Sequence, residues 1–151
     1  MIMKTAVYKT KYSYIKIGYI DDKVVLIRRV DSLESSERTE LTDLVIKEIN
    51  EYFEGKRREF TFPYEIRGTE FQKKVYTALL NIKYGQVKTY KDIAKEIGND
   101  KACRAVGNAN NKNPLMFVVP CHRVIGQNGN LTGYAGGLEM KKALLELEKT
   151  N

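Results

Sequence analysis

The chain opens with short runs in which apolar and polar positions alternate. Lys4–Lys11 and Tyr14–Ile20 are rich in Tyr, Ile and Val and are separated by the polar step Tyr12-Ser13, and Lys23–Val30 follows an Asp21-Asp22 turn signal. This pattern predicts an antiparallel β-meander. After a polar loop over Leu33–Arg38 the period lengthens: Leu41, Leu44, Val45, Ile49, Tyr52 and Phe53 recur at helical spacing, and Gly55 supplies a stop. Arg57–Pro63 alternates briefly, as an edge strand or a tether would. No Gly-rich phosphate loop or spaced carboxylate cluster marks this first third.

From Pro63–Gly68 onward the pattern becomes one of compact helices. Thr69 and Gln72 form a capping box ahead of an apolar stripe of Phe71, Val75, Leu79 and Ile82, which Gly85 ends. Thr89 caps a second, short helix carrying Ile93, Ala94 and Ile97 and ended by Gly98. A third helix starts at Asn99 or Asp100, with Ala102, Ala105, Val106 and Ala109 facing inward. Leu115–Val119 is wholly apolar and reads as a buried, strand-like segment stopped by Pro120, which cannot donate a backbone hydrogen bond. The last helix runs from about Gly137 to Glu148 with Met140, Ala143, Leu144 and Leu147 inward.

Composition narrows the chemistry. The 151 residues suit one domain or two small ones. Lys and Arg number 26 against 19 Asp and Glu, a net charge of +7, which favours a polyanionic partner through counterion release. The excess is local, because acids concentrate in Asp31–Glu59 and at the C-terminal end while bases dominate Lys83–Arg123. Two Cys and one His cannot furnish the four ligands of a structural zinc site, so no metal is expected. No apolar run approaches the roughly 20 residues of a bilayer span, and the first residues contain no apolar signal core. A cytoplasmic location with reduced thiols is therefore expected.

Two short helices joined by Gly98-Asn99-Asp100 form a helix-turn-helix pattern, and the outer face of the second carries Lys101, Arg104, Asn108 and Asn111. These side chains suit phosphates and base edges. They equally suit an ordinary solvated helix face, and only the local basic excess brings the two readings level. The sharpest signal is Pro120-Cys121-His122-Arg123-Val124. A free thiol is mostly protonated at neutral pH, so a nucleophilic cysteine needs a base or a positive field. His122 is the one histidine, and Glu148 lies at the margin of the last helix's apolar face, where a carboxylate needs a partner. Cys121, His122 (directly or through a bridging water) and Glu148 then form a nucleophile, base and orienter. Taken singly, Cys121 also reads as a small buried hydrophobe and Glu148 as a solvated residue.

The pentapeptide, preceded by Asn113-Pro114, closely resembles the active-site signature of the O6-alkylguanine-DNA alkyltransferases, the methylated-DNA–protein-cysteine methyltransferases. Phe71 through Tyr90, Arg104-Ala105-Val106-Gly107, Gly133-Tyr134-Ala135-Gly136-Gly137 and Leu144-Leu145-Glu146-Leu147-Glu148 match that family's pattern in order. The match is strong over residues 68–148. The resemblance implies an α/β (α+β) fold: an RNase H-like N-terminal domain over 1–62, a linker over 63–67 and a winged helix-turn-helix domain over 68–151. It implies Cys121 as alkyl acceptor with His122 and Glu148 as its relay, and Asn113 bracing the active-site loop. Tyr90 would assist base rotation and hydrogen-bond the lesion, and Arg104 would fill the gap left by a flipped nucleotide. DNA contacts are further expected from Lys101, Asn108, Lys91 and Gln127, with Val124, Tyr134 and Ala135 forming the base pocket. Departures are Ala135, where some relatives carry Ser, Asn108 and Asn110 in place of smaller or apolar residues, and Cys103, read as helix packing.

The implied activity is repair of O6-alkylguanine in double-stranded DNA by a single, irreversible transfer to the protein, without a cofactor and without a membrane, by a monomer. Two other readings remain at this point. A non-catalytic lesion sensor would lack the acceptor cysteine, and a cysteine hydrolase would leave the basic helix unexplained.

Overall fold

The computed structural model describes residues 2–34 and 36–151. Ser35, inside the expected polar loop, lies outside the described residues. Contacts divide the chain into two units: Met1–Arg67 with Pro114–Met116, and Gly68–Asn113 with Phe117–Asn151.

The first unit is built on the meander. Strands β1 (Lys4–Lys9), β2 (Tyr14–Ile20) and β3 (Lys23–Val30) pair antiparallel in the order β1-β2-β3. Helix α1 (Glu40–Phe53) begins at Thr39, which forms a capping box with Thr42. The Tyr8 hydroxyl reaches the same helix start, donating to Asp43 at 2.6 Å, and the Tyr12 ring meets Phe53 edge-on at 4.8 Å. Of the residues expected to face inward, Val45, Ile49, Tyr52 and Phe53 are buried, whereas Leu44 is exposed.

The place beside Val45 and Ile49 is taken instead by Glu48, buried and charged. Its carboxylate accepts the Thr61 backbone N–H at 2.7 Å and also the Thr61 hydroxyl. Arg57–Pro63 is accordingly not an edge strand: it is an irregular segment fastened to α1 by this buried acceptor. Beyond it, Val24 donates to the Pro63 carbonyl and Glu65 donates back to Val24, so Tyr64 bridges β3 in parallel. Leu115 bridges Ile27 on β3 in the same way. Two non-consecutive stretches thus satisfy backbone groups along a strand that has no further strand beside it.

The second unit is helical. Helix α2 (Glu70–Leu80) starts in the expected Thr69–Gln72 capping box, and α3 (Tyr90–Glu96) in a Thr89–Asp92 box. A two-residue strand β4 (Lys88–Thr89) immediately precedes α3. Helix α4 (Cys103–Asn111) begins three residues later than Asp100; its N-cap, Ala102, has no side-chain cap, and the backbone around Asn99–Lys101 is spent on a turn in which Ala102 donates to the Asn99 carbonyl. Val106 and Ala109 are buried, but Ala105 is exposed and Asn110 takes the inward place. Helix α5 (Leu138–Thr150) buries Met140 and Leu144 as expected. It also buries Lys141 and Glu148, while Ala143 and Leu147 are half-exposed. Two charged groups have displaced two apolar ones.

Among the described residues no helix is long and apolar enough to cross a membrane. Removing the buried acceptor in the first unit should be costly: Glu48→Ala leaves the Thr61 N–H without its partner, at about 2–4 kcal/mol. Thr61→Ala, which keeps the backbone bond, should cost less than half of that. Urea unfolding of both variants decides the matter, and a Glu48→Ala loss below about 1 kcal/mol contradicts the assignment.

Candidate active site

The segment leading to Cys121 is turned, not extended. Leu115 makes its single bridge, after which the chain enters turns and Phe117 adopts φ +72°, left-handed for a bulky residue. Such backbone persists only where packing fixes it, and Phe117 is buried. The expectation of a strand over Leu115–Val119 therefore holds for burial at most of its positions but not for pairing. Pro120, with φ −79° and ψ 65°, makes an inverse γ-turn in which Cys121 donates to the Val119 carbonyl at 2.7 Å. Arg123 donates to the Pro120 carbonyl at 2.9 Å and closes a one-turn 3-10 helix, Cys121–Arg123. The chain then forms β5 (Val124–Ile125), parallel to β4, with Thr89 opposite Ile125. That short pairing anchors the residues after Cys121 beside the start of α3, where Tyr90 lies.

Glu148 is the hub of the buried polar groups. His122 Nε2–H donates to its Oε2 at 2.7 Å. Arg123 grips the same carboxylate in a bidentate pair, Nε to Oε1 at 2.8 Å and Nη2 to Oε2 at 2.9 Å, and its Nη1 donates to the Ile82 carbonyl at 2.7 Å. The Gly85 N–H adds a fourth donor at 3.2 Å to Oε1. Gly85 has φ +83°, which strains any other residue, and a Cβ there would also press to 3.3 Å on the Glu148 carbonyl. A carboxylate with this many donors stays ionised. Burial lowers the His122 pKa, against the raising influence of Glu148. The imidazole is then neutral with its proton on Nε2, and Nδ1 carries the lone pair that a general base needs.

From the sequence, His122 and Glu148 are expected in the relay, while Arg123 appears only as a motif residue and Gly85 only as a helix stop. Arg123 was visible in the motif, but its partner is 25 residues away and no local signal joins them.

The thiol itself is 2% exposed. Burial pushes the Cys121 pKa up to about 11, opposed in turn by a hydrogen bond from the Asn113 side chain, the Lys141 ammonium, and the backbone N–H groups of Cys121 and His122. Asn113 also donates to the Val119 carbonyl at 2.7 Å, so one side chain braces both the loop and the sulfur. Lys141, wholly buried, donates to the Thr132 carbonyl at 2.8 Å. Burial brings its pKa down to about 8, and the nearby Cys121 pulls it back up. Lys141 gives no signal in the sequence, because a lysine on a helix ordinarily points to water. Tyr76, on the far side, is raised to about 12 by burial and then by Cys121, and donates to the Ala109 carbonyl at 3.0 Å.

The outer face of α4 carries the residues expected to meet DNA. Arg104, Asn108 and Asn111 are exposed, as is Lys101 just before the helix. Tyr90, Cys103, Arg104, Asn108, Asn111, Thr132 and Gly133 surround an open depression of about 440 Å³. Half-buried Cys103 belongs to this wall as well as to the helix, and both cysteines are free thiols. Lys91 and Gln127 are exposed but outside the depression. The Tyr90 hydroxyl donates to the Thr132 carbonyl at 3.1 Å, the same oxygen that Lys141 holds. Of the expected base pocket, Val124 is buried in β5, Tyr134 is buried with its ring 6.5 Å from His122, and Ala135 is exposed in a turn.

Sequence comparison agrees with this geometry. The family model described as 6-O-methylguanine DNA methyltransferase, DNA binding domain, matches residues 70–150, and the chain belongs to that family. It is 59% identical over 102 residues to the inducible methylated-DNA–protein-cysteine methyltransferase of Bacillus subtilis, a match covering 68% of this chain and 57% of that protein. The chain thus spans less than two thirds of that relative. The methyltransferase of Mycolicibacterium paratuberculosis is 44% identical over 135 residues, 85% of this chain and 82% of the relative. Among solved structures, the Mycobacterium tuberculosis O6-methylguanine methyltransferase superposes with a TM-score of 0.89 at 36% identity, covering 99% of this chain and 94% of that one. The same enzyme in complex with DNA gives 0.89 at 38% identity, over 97% and 92% of the two chains. These superpositions place the chain in a mixed α and β fold.

Lys141 gives a test with a definite sign. Its folded pKa of about 8 lies below the ordinary 10.5, so its charge costs stability at every pH below 8 and the cost fades as pH rises to 10.5. Cys121 runs the other way: its folded value of about 11 exceeds 9.0, so its contribution is complete below pH 9 and is lost towards 11. The lysine cost is on the order of 3 kcal/mol, and its bond to the Thr132 carbonyl returns about 1.5–3. Lys141→Met is therefore expected to unfold at equal or higher urea concentration at pH 7, by up to ~1–2 kcal/mol, with the advantage gone by pH 10.5. A variant markedly less stable than the parent at pH 7 contradicts this balance.

Proposed function

We propose that this chain repairs O6-alkylguanine in double-stranded DNA by transferring the alkyl group, once and irreversibly, to Cys121. The observation that carries the reading is a buried thiol in the same one-turn 3-10 helix as His122, whose imidazole is held by the ionised, arginine-clamped Glu148. Family membership and the resemblance to a relative solved with DNA support it. In finer terms, we read the first unit as an RNase H-like domain and the second as a winged helix-turn-helix, with α3 and α4 as the DNA-reading pair and Arg104 at its exposed tip. The protein acts as a monomer in the cytoplasm.

The chemistry follows from the site. The Cys121 proton passes to His122 Nδ1, directly or through water, while Glu148 stabilises the imidazolium that results. Lys141, cationic below its pKa of about 8, and the Asn113 amide stabilise the thiolate. Sγ attacks the alkyl carbon, the S–C bond forms, and the C–O6 bond breaks with its electron pair going to the purine. A proton from the Tyr90 hydroxyl or from solvent neutralises the guanine anion. The target carbon is shielded within the base stack, so the nucleotide must turn outward, at a cost of a few kcal/mol that is smaller for a damaged pair. Tyr90 and Arg104 border the depression that would admit it, with Lys101, Lys91, Asn108 and Gln127 on the surrounding backbone. The Val124 carbonyl, Tyr134 and the Ala135 amide are the groups we assign to the guanine. A thioether has no usable leaving group, so the thiol is not regenerated.

Incubation with an oligonucleotide carrying isotopically labelled O6-methylguanine tests the reading. One methyl group per chain is expected, on the Cys121 peptide, and Cys121→Ala is expected to remove none while still binding DNA. Continuing turnover, or lesion loss by Cys121→Ala, would overturn it. Rate against pH supplies a second check. Lys141→Met should slow transfer about tenfold or more at pH 7 and converge on the parent above pH 8, where the parent's ammonium is lost in turn.

A further inference from the structure

Asn110 takes no part in the relay or in the charge balance of the thiol, yet it touches the nucleophile's own peptide. It lies in the last turn of α4, is 2% exposed, and faces away from the side that carries Arg104, Asn108 and Asn111. Its Nδ2 donates to the Cys121 carbonyl at 3.3 Å. That carbonyl already accepts the Val124 N–H that ends the 3-10 turn, so the backbone does not need the amide for satisfaction. The other half of the amide, Oδ1, is buried with no hydrogen-bond partner among the described residues.

These facts set stability against purpose. An unpaired buried acceptor costs more than a long bond to an already satisfied carbonyl returns. Leucine has the same branched heavy-atom skeleton, with two methyl groups that need somewhat more room, and would carry no such polar cost. The fold therefore gains nothing from an amide here; what the amide adds is a restraint on Cys121.

Resting on the transfer reading above, we propose that Asn110 is a positioning residue. Its amide fixes the Cys121 carbonyl, hence the direction of the Cα–Cβ bond and the line along which Sγ meets the alkyl carbon. The Tyr76 hydroxyl, bonded to the carbonyl of neighbouring Ala109, buttresses the same turn from α2. In-line attack tolerates little misplacement; a shift of about 1 Å can cost two orders of magnitude in rate.

Asn110→Leu and Asn110→Ser are compared with the parent in three measurements: urea unfolding, single-turnover transfer at saturating methylated oligonucleotide, and iodoacetamide alkylation of Cys121 followed by peptide mass mapping across pH. Asn110→Leu is expected to be at least as stable as the parent, to bind DNA within twofold, and to transfer tenfold or more slowly. Asn110→Ser, which keeps a short donor, recovers part of that loss and serves as the test should the leucine variant fail to fold. Iodoacetamide is small and orients itself on the sulfur, so its rate stays within twofold and its pH midpoint is unchanged. Transfer within twofold of the parent in both variants overturns the proposal. So does a parallel slowing of iodoacetamide, which would make the amide an influence on ionisation and not on aim. A parent that transfers no methyl group overturns the function reading and this one with it, whereas an active parent with unaffected variants overturns this one alone.

Discussion

Glu148 is a carboxylate removed from water, and the rest of the cysteine site is arranged around keeping it there. An isolated buried charge of this kind would protonate or pull the helix apart. Here the carboxylate is gripped at both oxygens by one guanidinium and receives an imidazole N–H and a backbone N–H as well. The fourth donor is available only because glycine occupies position 85 in a left-handed turn. Remove any one of these groups and the remaining charge is left partly unpaired, which is why such networks fail as a unit. The network also decides the tautomer of His122, with the proton on Nε2 and the lone pair on Nδ1.

The second constraint is the opposition between Cys121 and Lys141. Each is buried, each is pushed by burial towards its neutral form, and each partly restores the charge of the other. Neither residue would be placed in such surroundings for stability alone. The cost is carried by the apolar core of the same unit, in which Val119, Val124, Met140 and Leu144 are buried. Lys141 further shares the Thr132 carbonyl with Tyr90. The state of the thiol and the position of an aromatic side chain at the mouth of the depression are thereby tied to one oxygen atom.

Much of this was legible in the sequence, and the reasons differ by element. The three strands and the capped starts of α2 and α3 follow from local patterns: alternation, and a threonine three residues ahead of a glutamine or an aspartate. Cys121, His122 and Glu148 were legible as chemistry because a thiol, the lone imidazole and a carboxylate at an apolar margin each called for a partner. The misses share a cause. Glu48, Lys141 and Asn110 are polar residues buried at positions that helical periodicity assigns to apolar or solvated side chains, and what holds them lies 13, 9 and 11 residues away. The apolar stretch before Pro120 misled for the converse reason. Its burial was plain, but the inverse γ-turn and the left-handed Phe117 are imposed by packing and leave no periodic trace.

The degree of burial at Cys121 bears on how such a protein survives its own wait. Under the proposed single transfer, nothing is gained from a thiol that is always ionised, since any passing oxidant or electrophile would spend it. With a pKa near 11 the sulfur rests as the protonated, far less nucleophilic form. On the proposed mechanism, its reactivity is withheld from the solution and released where a base, a cation and a correctly aimed carbon come together.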